Sequence, residues 1–407
     1  METPNSSCWS ELPMDILRSV LERLSFVDFH RAKIVCPKWY LCSKQTLLPK
    51  TGSPWLILFP EDGCVLYNPD EDRVYKPKNP NFSGFRFLAS SGKWFLVVDP
   101  GLNLSIIDLF SERKIDLPPL ESIEGATATY ILERVNEKVL TEFVFDDGTV
   151  MWPEIPCGPR TAEDLRGLLW VDDGKSELEY VVVWRFVTDC HYLGFCKNGY
   201  DHHLGSPIRD KQRIRRELRG MNDMVLKGDT LYILTPLRYI RVLSIRGQDG
   251  IKDISHHNMI QMFQPELIEI KQAAKFISDT VKLAVTRSGE VLMVDIFVYE
   301  DATATRRMIF RLCKRDPTLP TNSCVNLSEV DSLGDEALLL DSGITVPADK
   351  SLGIEPNSIY FTRDDRVFGK KPRCFDICVY NIATKTIKRF DRLSDLNLKD
   401  ALWVLPS

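Results

Sequence analysis

Beyond residue 50 of this 407-residue chain, short apolar segments alternate with turn residues, and this pattern restricts the fold more than any other feature. Segments rich in β-branched and aromatic residues, bounded by Asn, Asp, Gly or Pro, are typical of β-strands. Three stretches share the order of a strand, an Asn or Asp turn and a second strand, namely 63–75, 104–117 and 377–387. The sequence therefore predicts a large all-β domain built from antiparallel hairpins.

The spacing of these hairpins favours a β-propeller. The turns at Asn68 and Asp108 lie 40 residues apart, and one propeller blade takes about 40–50 residues. A propeller also closes on itself, which removes the exposed edges of a large antiparallel sheet. Residues 51–407 allow roughly seven or eight blades, and fewer once insertions are subtracted; two unrelated β-rich domains are the alternative. The further candidate hairpins are Gly167–Val171 with Leu178–Phe186, Leu231–Leu234 with Tyr239–Ile245, and Leu283–Thr286 with Glu290–Phe297 and Met308–Lys314.

The first fifty residues have helical periodicity instead. Pro13 suits the first helical turn and Asp15 suits the positive end of the helix dipole. The stripe of an amphipathic helix follows, formed by Ile16, Leu17, Val20, Leu21 and Leu24. A second helix is predicted to start in the capping-box segment Ser25–Asp28 and to end at Pro37. Because about 45 residues cannot bury this apolar surface alone, we expect the helices to dock a partner or to pack on the main domain.

Several residues of this segment occur in a recognisable order: Leu12-Pro13, Asp28, Arg31, Val35-Cys36 and Trp39. This order resembles the F-box, the module that attaches a protein to the Skp-type adaptor of a cullin-based ubiquitin ligase. The resemblance implies that residues 1–50 form an F-box and that its apolar residues contact the adaptor. The residues expected to do so are Leu12, Pro13, Ile16, Leu17, Val20, Leu21, Leu24, Val35, Cys36 and Trp39.

A second resemblance covers nearly the whole chain. It rests on the segments 333–340, 356–362, 379–381 and 402–407. These look like a plant-specific family in which an F-box is joined to a KIB-type β-propeller. The implied architecture is a small all-α F-box module followed by a propeller at residues 51–407, which would hold the substrate, with a basic insertion near 188–220.

Composition restricts the partners and the compartment. The chain is 44% hydrophobic and 27% charged, as in soluble globular proteins, and its net charge of −5 argues against nucleic acid as a partner. Its apolar runs are too short to span a membrane, and the N-terminus has no apolar signal-peptide core. Eleven cysteines without a Cys-x-x-Cys pair fit a reducing compartment. We expect the protein in the nucleus, the cytoplasm or both.

Other candidate chemistry is weak. The residues Cys190, His191, Cys196, His202 and His203 form a Cys/His cluster, but their spacing matches no usual zinc site, so we expect no metal and no cofactor. Six basic and two acidic residues at 209–219 give a local charge of +4. This segment is predicted to be a solvated loop, or alternatively an import signal or a contact for an acidic partner. No phosphate loop, nucleophile elbow or zinc-protease motif is present.

The two resemblances imply a non-catalytic receptor subunit of an SCF-type ubiquitin ligase that docks the adaptor, and through it a cullin, and holds an unknown protein substrate. Two alternatives stay open. One is a propeller scaffold that works without a ligase. The other is a propeller hydrolase, which would need a polar central pocket with clustered carboxylates or histidines.

Overall fold

The structure of the chain is a computed structural model. It describes residues 11–24, 26–46, 54–60, 64–69, 72–76, 84–108, 113–125, 129–135, 138–144, 150–151, 159–174, 177–187, 192–208, 214–246, 251–255, 275–300, 303, 306–315, 327–349, 353–362, 377–390, 393 and 398–405.

Three helices open the described chain: α1 (Met14–Leu21), α2 (Phe26–Ala32) and α3 (Pro37–Gln45). The prediction of one second helix ending at Pro37 is wrong, because α2 ends at Ala32 and Pro37 begins α3. Cys36 has extended backbone as the N-cap of α3. Proline is well placed at a first helical position, where its missing N–H has no helical partner to lose and its fixed φ suits the helix. The described helices include none long and apolar enough to cross a membrane.

The strands begin at Trp55 and, in the described residues, form six successive sheets and one further three-stranded sheet. Sheet 1 contains β1 (Trp55–Pro60), β2 (Val65–Asn68) and β3 (Arg73–Tyr75). Sheet 2 contains β4 (Arg86–Ser91), β5 (Trp94–Val98), β6 (Leu104–Asp108) and β7 (Lys114–Asp116). The segment after sheet 2 contains β8 (Ile123–Gly125) and then β9 (Thr129–Val135), β10 (Lys138–Val144) and β11 (Val150–Met151), the last three forming a separate small sheet.

The remaining sheets follow in chain order. Sheet 3 contains β12 (Leu165–Asp172), β13 (Glu179–Phe186), β14 (Tyr192–Lys197) and β15 (His203–Pro207), and β8 pairs in parallel with β15. Sheet 4 contains β16 (Asp223–Lys227), β17 (Thr230–Leu234), β18 (Ile240–Ser244) and β19 (Lys252–Asp253). Sheet 5 contains β20 (Lys275–Val285), β21 (Val291–Glu300), β22 (Arg306–Arg315) and β23 (Leu327–Glu329). Sheet 6 contains β24 (Glu336–Leu339), β25 (Ile344–Pro347), β26 (Ser358–Phe361), β27 (Cys378–Asn381) and β28 (Thr386–Arg389). Sheets 5 and 6 are the two halves of one nine-stranded sheet, joined by the parallel pairing of Val285 in β20 with Ile344 in β25. The last strand, β29 (Leu398–Val404), returns to sheet 1 and pairs with β1.

Packing between the sheets shows that they form a ring. Since successive side chains of a strand point to opposite faces, each sheet can contact two neighbours. In β1, Trp55 and Ile57 pack toward sheet 2, whereas Leu56 and Leu58 pack toward sheet 6. Six buried apolar clusters join consecutive sheets in this way, and the sixth joins the last sheet to the first. Representative pairs are Trp55 with Phe87, Leu96 with Trp184, Val183 with Ile233, Val242 with Leu283, Leu312 with Phe361, and Tyr360 with Trp403.

This ring confirms the predicted β-propeller. The described strands give six blades, fewer than the seven or eight that length alone allows, because residues between β7 and β12 form the extra three-stranded sheet β9–β11 and several connections are long. The hairpins predicted around Asn68, around Asp108 and at 377–387 are present as β2–β3, β6–β7 and β27–β28.

Trp403 anchors the closure between the last strand and the sixth sheet. Its indole N–H donates to the Phe361 carbonyl at 3.1 Å, and its ring packs edge-on against Tyr360. The side chain is only 1% exposed. We expect Trp403→Ala to lower the free energy of unfolding by about 3–5 kcal/mol, the usual cost of a buried Trp cavity.

Denaturant unfolding followed by far-UV circular dichroism measures this loss. The matched control is Val74→Ala, whose side chain is 49% exposed and should change stability by less than about 0.5 kcal/mol. Equal stability of the Trp403→Ala variant and the wild type would contradict the anchoring role.

Candidate functional site

The three N-terminal helices form a small core of their own. Its buried residues are Leu17, Leu21, Phe29, Ala32, Trp39 and Cys42, with Leu12, Met14, Val20, Leu24 and Cys36 packed against them. In α1 the buried residues Leu17 and Leu21 are four apart, as expected for one helix face. Trp39 and Cys42 of α3 are three apart and complete the same core. The module therefore buries part of its apolar surface without help from the blades.

The structure divides the ten predicted adaptor-binding residues into three groups. Leu17, Leu21 and Trp39 are buried. A second group is partly buried and packs on the helical core: Leu12, Val20, Leu24 and Cys36. Pro13, Ile16 and Val35 are exposed, with Ile16 48% and Val35 55% accessible. Of the ten, these last three present the most surface to another protein.

Further exposed apolar side chains lie in the α2–α3 turn and in α3. Ile34 in the α2–α3 turn is 59% exposed, and Tyr40 and Leu41 of α3 are 46% and 57% exposed. The second helix predicted to end at Pro37 would include Ile34, and neither Tyr40 nor Leu41 is among the ten residues predicted to contact the adaptor. Recognising Pro37 as the first residue of a helix would have identified Tyr40 and Leu41 as helical residues. Once Trp39 and Cys42 point inward, helical periodicity turns Leu41 outward.

Charged and polar groups hold the module's helices in place. Arg31 and Asp28 form an ion pair at 3.4 Å, three residues apart along α2. The Cys42 thiol lies 3.6 Å from the Met14 carbonyl and so links α3 to α1. The Lys33 ammonium lies over the Phe29 ring at 4.9 Å. The Asp–Arg pair that helped identify the motif is therefore a contact within α2.

The described members of the Cys/His cluster have separate structural roles. Cys190 and His191 lie outside the described residues. Cys196 is a buried core thiol, and burial raises its pKa to about 12. His202 bonds Asp201 at 2.8 Å. His203 is fully buried between the Trp184 indole and the Pro118 carbonyl. In the described part of the chain, no three His, Cys, Asp or Glu side chains are placed to hold a metal ion.

The contacts of His203 define its protonation state. The Trp184 indole N–H donates to His203 Nδ1 at 3.1 Å, so Nδ1 acts as the acceptor. Nε2 lies 2.9 Å from the Pro118 carbonyl oxygen and must carry the proton to donate. Burial lowers the pKa of His203 to about 4. The imidazole is therefore a neutral structural link between sheet 3 and the segment before β8.

This link predicts a pH dependence of stability. The unfolded chain binds a proton on His203 near pH 6.5, whereas the folded chain binds it only near pH 4. The contribution of neutral His203 to the free energy of unfolding is therefore fully present above pH 6.5. It is lost as the pH falls toward 4, by about 3 kcal/mol in total. Unfolding midpoints measured from pH 4 to 7 should show this slope, and His203→Gln should flatten it. The neighbouring variant His202→Gln is the control and should keep the wild-type slope; a His203→Gln slope equal to wild type would contradict the assignment.

The structure describes only part of the basic segment at 209–219. Residues 209–213 of the basic segment lie outside the described residues. Arg215 and Arg216 are exposed, and the Arg219 guanidinium donates to the Ile214 carbonyl at 2.7 Å.

A central cavity lies where the six sheets meet. Its volume is about 350 Å³, and among the described residues two carboxylates, Asp223 and Asp341, and no histidine line it. Both carboxylates accept hydrogen bonds from the protein itself: Asp223 from the Leu283 N–H at 2.8 Å and Asp341 from the Thr362 hydroxyl at 2.9 Å. The carboxylate or histidine cluster that a hydrolase would need is not seen among these lining residues.

Comparison with known proteins agrees with both parts of the structure. The F-box domain matches residues 9–50, and the KIB1-4 beta-propeller matches residues 66–381. The Arabidopsis thaliana F-box protein At5g25290 is 52% identical over 98% of this chain and 97% of its own length. F-box protein KIB3 of the same plant is 32% identical over 97% of this chain and 82% of its own length. The WD40 domain of SCAP from fission yeast aligns with 84% of this chain and 88% of that chain, at 8% identity and a TM-score of 0.30.

The helical module and the ring of six sheets formed by the described strands together define a protein with an F-box and a β-propeller. The chain belongs to the plant family of F-box proteins that carry a KIB1-4 β-propeller.

Proposed function

We propose that the chain is the substrate-recognition subunit of an SCF-type cullin–RING ubiquitin ligase. The observation that carries this proposal is an F-box module whose core is complete but whose turn and outer helix faces still expose large apolar side chains. Clustered apolar residues on a protein surface are typical of a binding site. The family relationship supplies the partner class, a Skp-type adaptor that leads to a cullin.

The structure suggests separate roles for the ten predicted residues. The exposed Pro13, Ile16 and Val35, together with the neighbouring Ile34 and Leu41, would contact the adaptor directly. Pro13 and Ile16 are three apart and therefore share one side of α1. Leu17, Leu21 and Trp39 would act from within, because their burial fixes the positions of the helices that carry the contacts.

The propeller would hold the protein target. Loops that connect strands carry most of the variable surface of such a rigid scaffold, so target choice would lie on a rim of the ring. Ubiquitin transfer would belong to the conjugating enzyme that the cullin recruits, and this chain would be a non-catalytic receptor. We further propose that it works in the nucleus, the cytoplasm or both.

The adaptor contact gives a first test. Ile16→Ala combined with Val35→Ala should weaken co-purification with a Skp-type adaptor at least about tenfold, because exposed apolar anchors contribute strongly to interfaces. Leu12→Ala with Pro13→Ala should have a similar effect. Pull-down or calorimetry with purified adaptor measures the affinity.

Two further variants separate contact from folding. Leu237→Ala removes a side chain of similar exposure, 46%, from the propeller surface and should bind the adaptor like wild type. Leu17→Ala should lose binding together with helical circular dichroism, whereas the Ile16 and Val35 variant should keep its helicity. Wild-type affinity of that double variant would refute the docking assignment.

Target capture tests the receptor role itself. The full chain carrying Ile16→Ala and Val35→Ala should retain targets without passing them to the ligase. Proteins that co-purify with this variant, identified by mass spectrometry, should be more abundant than with wild type and should lose ubiquitin conjugates. If no protein is enriched and conjugates are unchanged, the chain acts as a scaffold without a ligase.

A further inference from the structure

The central cavity has a size and position suited to a small molecule. It is lined by the edge strands β29, β4, β12 and β16, by β20 and by the β24–β25 hairpin, so all six sheets contribute. Its volume of about 350 Å³ is at the lower end of the range of about 300–1,000 Å³ seen in small-molecule sites. Much of the wall is apolar and includes Leu88, Leu168, Val225, Leu283, Ile344 and Leu402.

The net charge of the lining residues is opposite in sign to the net charge of the whole chain. Four lining residues are cationic, Arg166, Lys227, Lys282 and Arg287, and two are anionic, Asp223 and Asp341. The whole chain carries a net charge of −5. A cavity with excess positive charge inside an acidic protein favours an anionic ligand, because low-dielectric walls strengthen the attraction.

Lys282 is a buried member of this group of cations. Its side chain is more than nine-tenths buried, and its ammonium lies 3.9 Å from Asp223 Oδ1, which is too far for a hydrogen bond. The other Asp223 oxygen already accepts the Leu283 N–H. Within the described part of the chain, no hydrogen bond to the Lys282 ammonium is found, although it carries three donors. A buried cation in this state gains from a second anion with better geometry.

Of the other charged lining residues, Lys227, Arg166 and Asp341 already bond to groups of the protein, and Arg287 is exposed. Lys227 donates to the backbone carbonyls of Thr286 and Arg287, which fixes its ammonium near the cavity edge. Arg166 donates to the carbonyls of Glu163 and Leu165. The Asp341 carboxylate is held by the Thr362 hydroxyl and the Trp403 N–H.

We propose that the central cavity binds a small organic anion, with its carboxylate or phosphate at Lys282 and its apolar body against the leucine and valine wall. This site is separate from adaptor docking, since none of its lining residues belongs to the helices. It would give the receptor a ligand at the axis of the ring, where all six blades meet.

Binding of defined probes to the purified full-length chain tests this site. Benzoate and phenyl phosphate carry the two anionic groups on an apolar ring, and benzamide is the neutral counterpart of benzoate. Calorimetry and ligand-observed NMR should show saturable one-to-one binding of at least one anion. Benzamide should bind at least tenfold more weakly, because a charge-assisted bond is lost.

Variants then locate the binding. Lys282→Gln should weaken the anion at least tenfold, whereas Lys252→Gln on the exposed outer strand β19 should bind like wild type. Because Lys282→Gln leaves Asp223 without its cation, the double variant D223N/K282Q provides a neutral pair, and circular dichroism checks that both variants fold. The proposal is overturned by absence of saturable binding for both anions, by equal binding of benzamide, or by unchanged affinity in both Lys282 variants.

Discussion

The pairing of β29 with β1 is the constraint on which the rest of the propeller depends. It places Trp403 opposite Leu56 and brings the end of the chain back to the first sheet. Each sheet has two apolar faces, so an open row of six sheets would leave the outer faces of the first and last sheets in water. Closure buries both in one cluster that contains Leu58, Tyr360 and Trp403. The same strand supplies Leu402 and Trp403 to the wall of the central cavity, so the cavity exists only because the ring is closed.

The F-box module also has to bury apolar surface, and it buries only part of it. Three short helices bury six side chains in their own core, yet Ile16, Ile34, Val35 and Leu41 stay exposed. A module of this size has too little interior to cover all of its apolar residues. The surface left over is what a partner can bind, and a stable inner core keeps that surface in one arrangement while the partner is absent.

Two buried polar sites in the blades differ in whether protein groups satisfy all of their hydrogen-bonding capacity. His203 has one donor and one acceptor, and Trp184 and Pro118 satisfy both, so the imidazole is closed to further chemistry. Burial also raises the pKa of Asp223, while the nearby Lys282 acts against this rise. That pair is held at 3.9 Å beside an open cavity, so its cation retains binding capacity. Equal burial therefore gives a structural link in one place and a candidate ligand site in the other.

The sequence by itself determined the element types, most hairpins and the family. Local periodicity reports whether a segment is helix or strand, and the order Leu12-Pro13 to Trp39 was enough to indicate an F-box. It did not determine that Pro37 starts a helix, because proline fits a first helical turn as well as a helix end. Nor did it separate buried Leu17 and Trp39 from exposed Ile16 and Val35, or count six blades. Only the tertiary structure decided these, because an uninterrupted apolar run shows that both faces of a strand are apolar but not which neighbour covers each face. Asp223 and Lys282 lie close together at the cavity because of the same long-range packing, and no local sequence pattern predicts it.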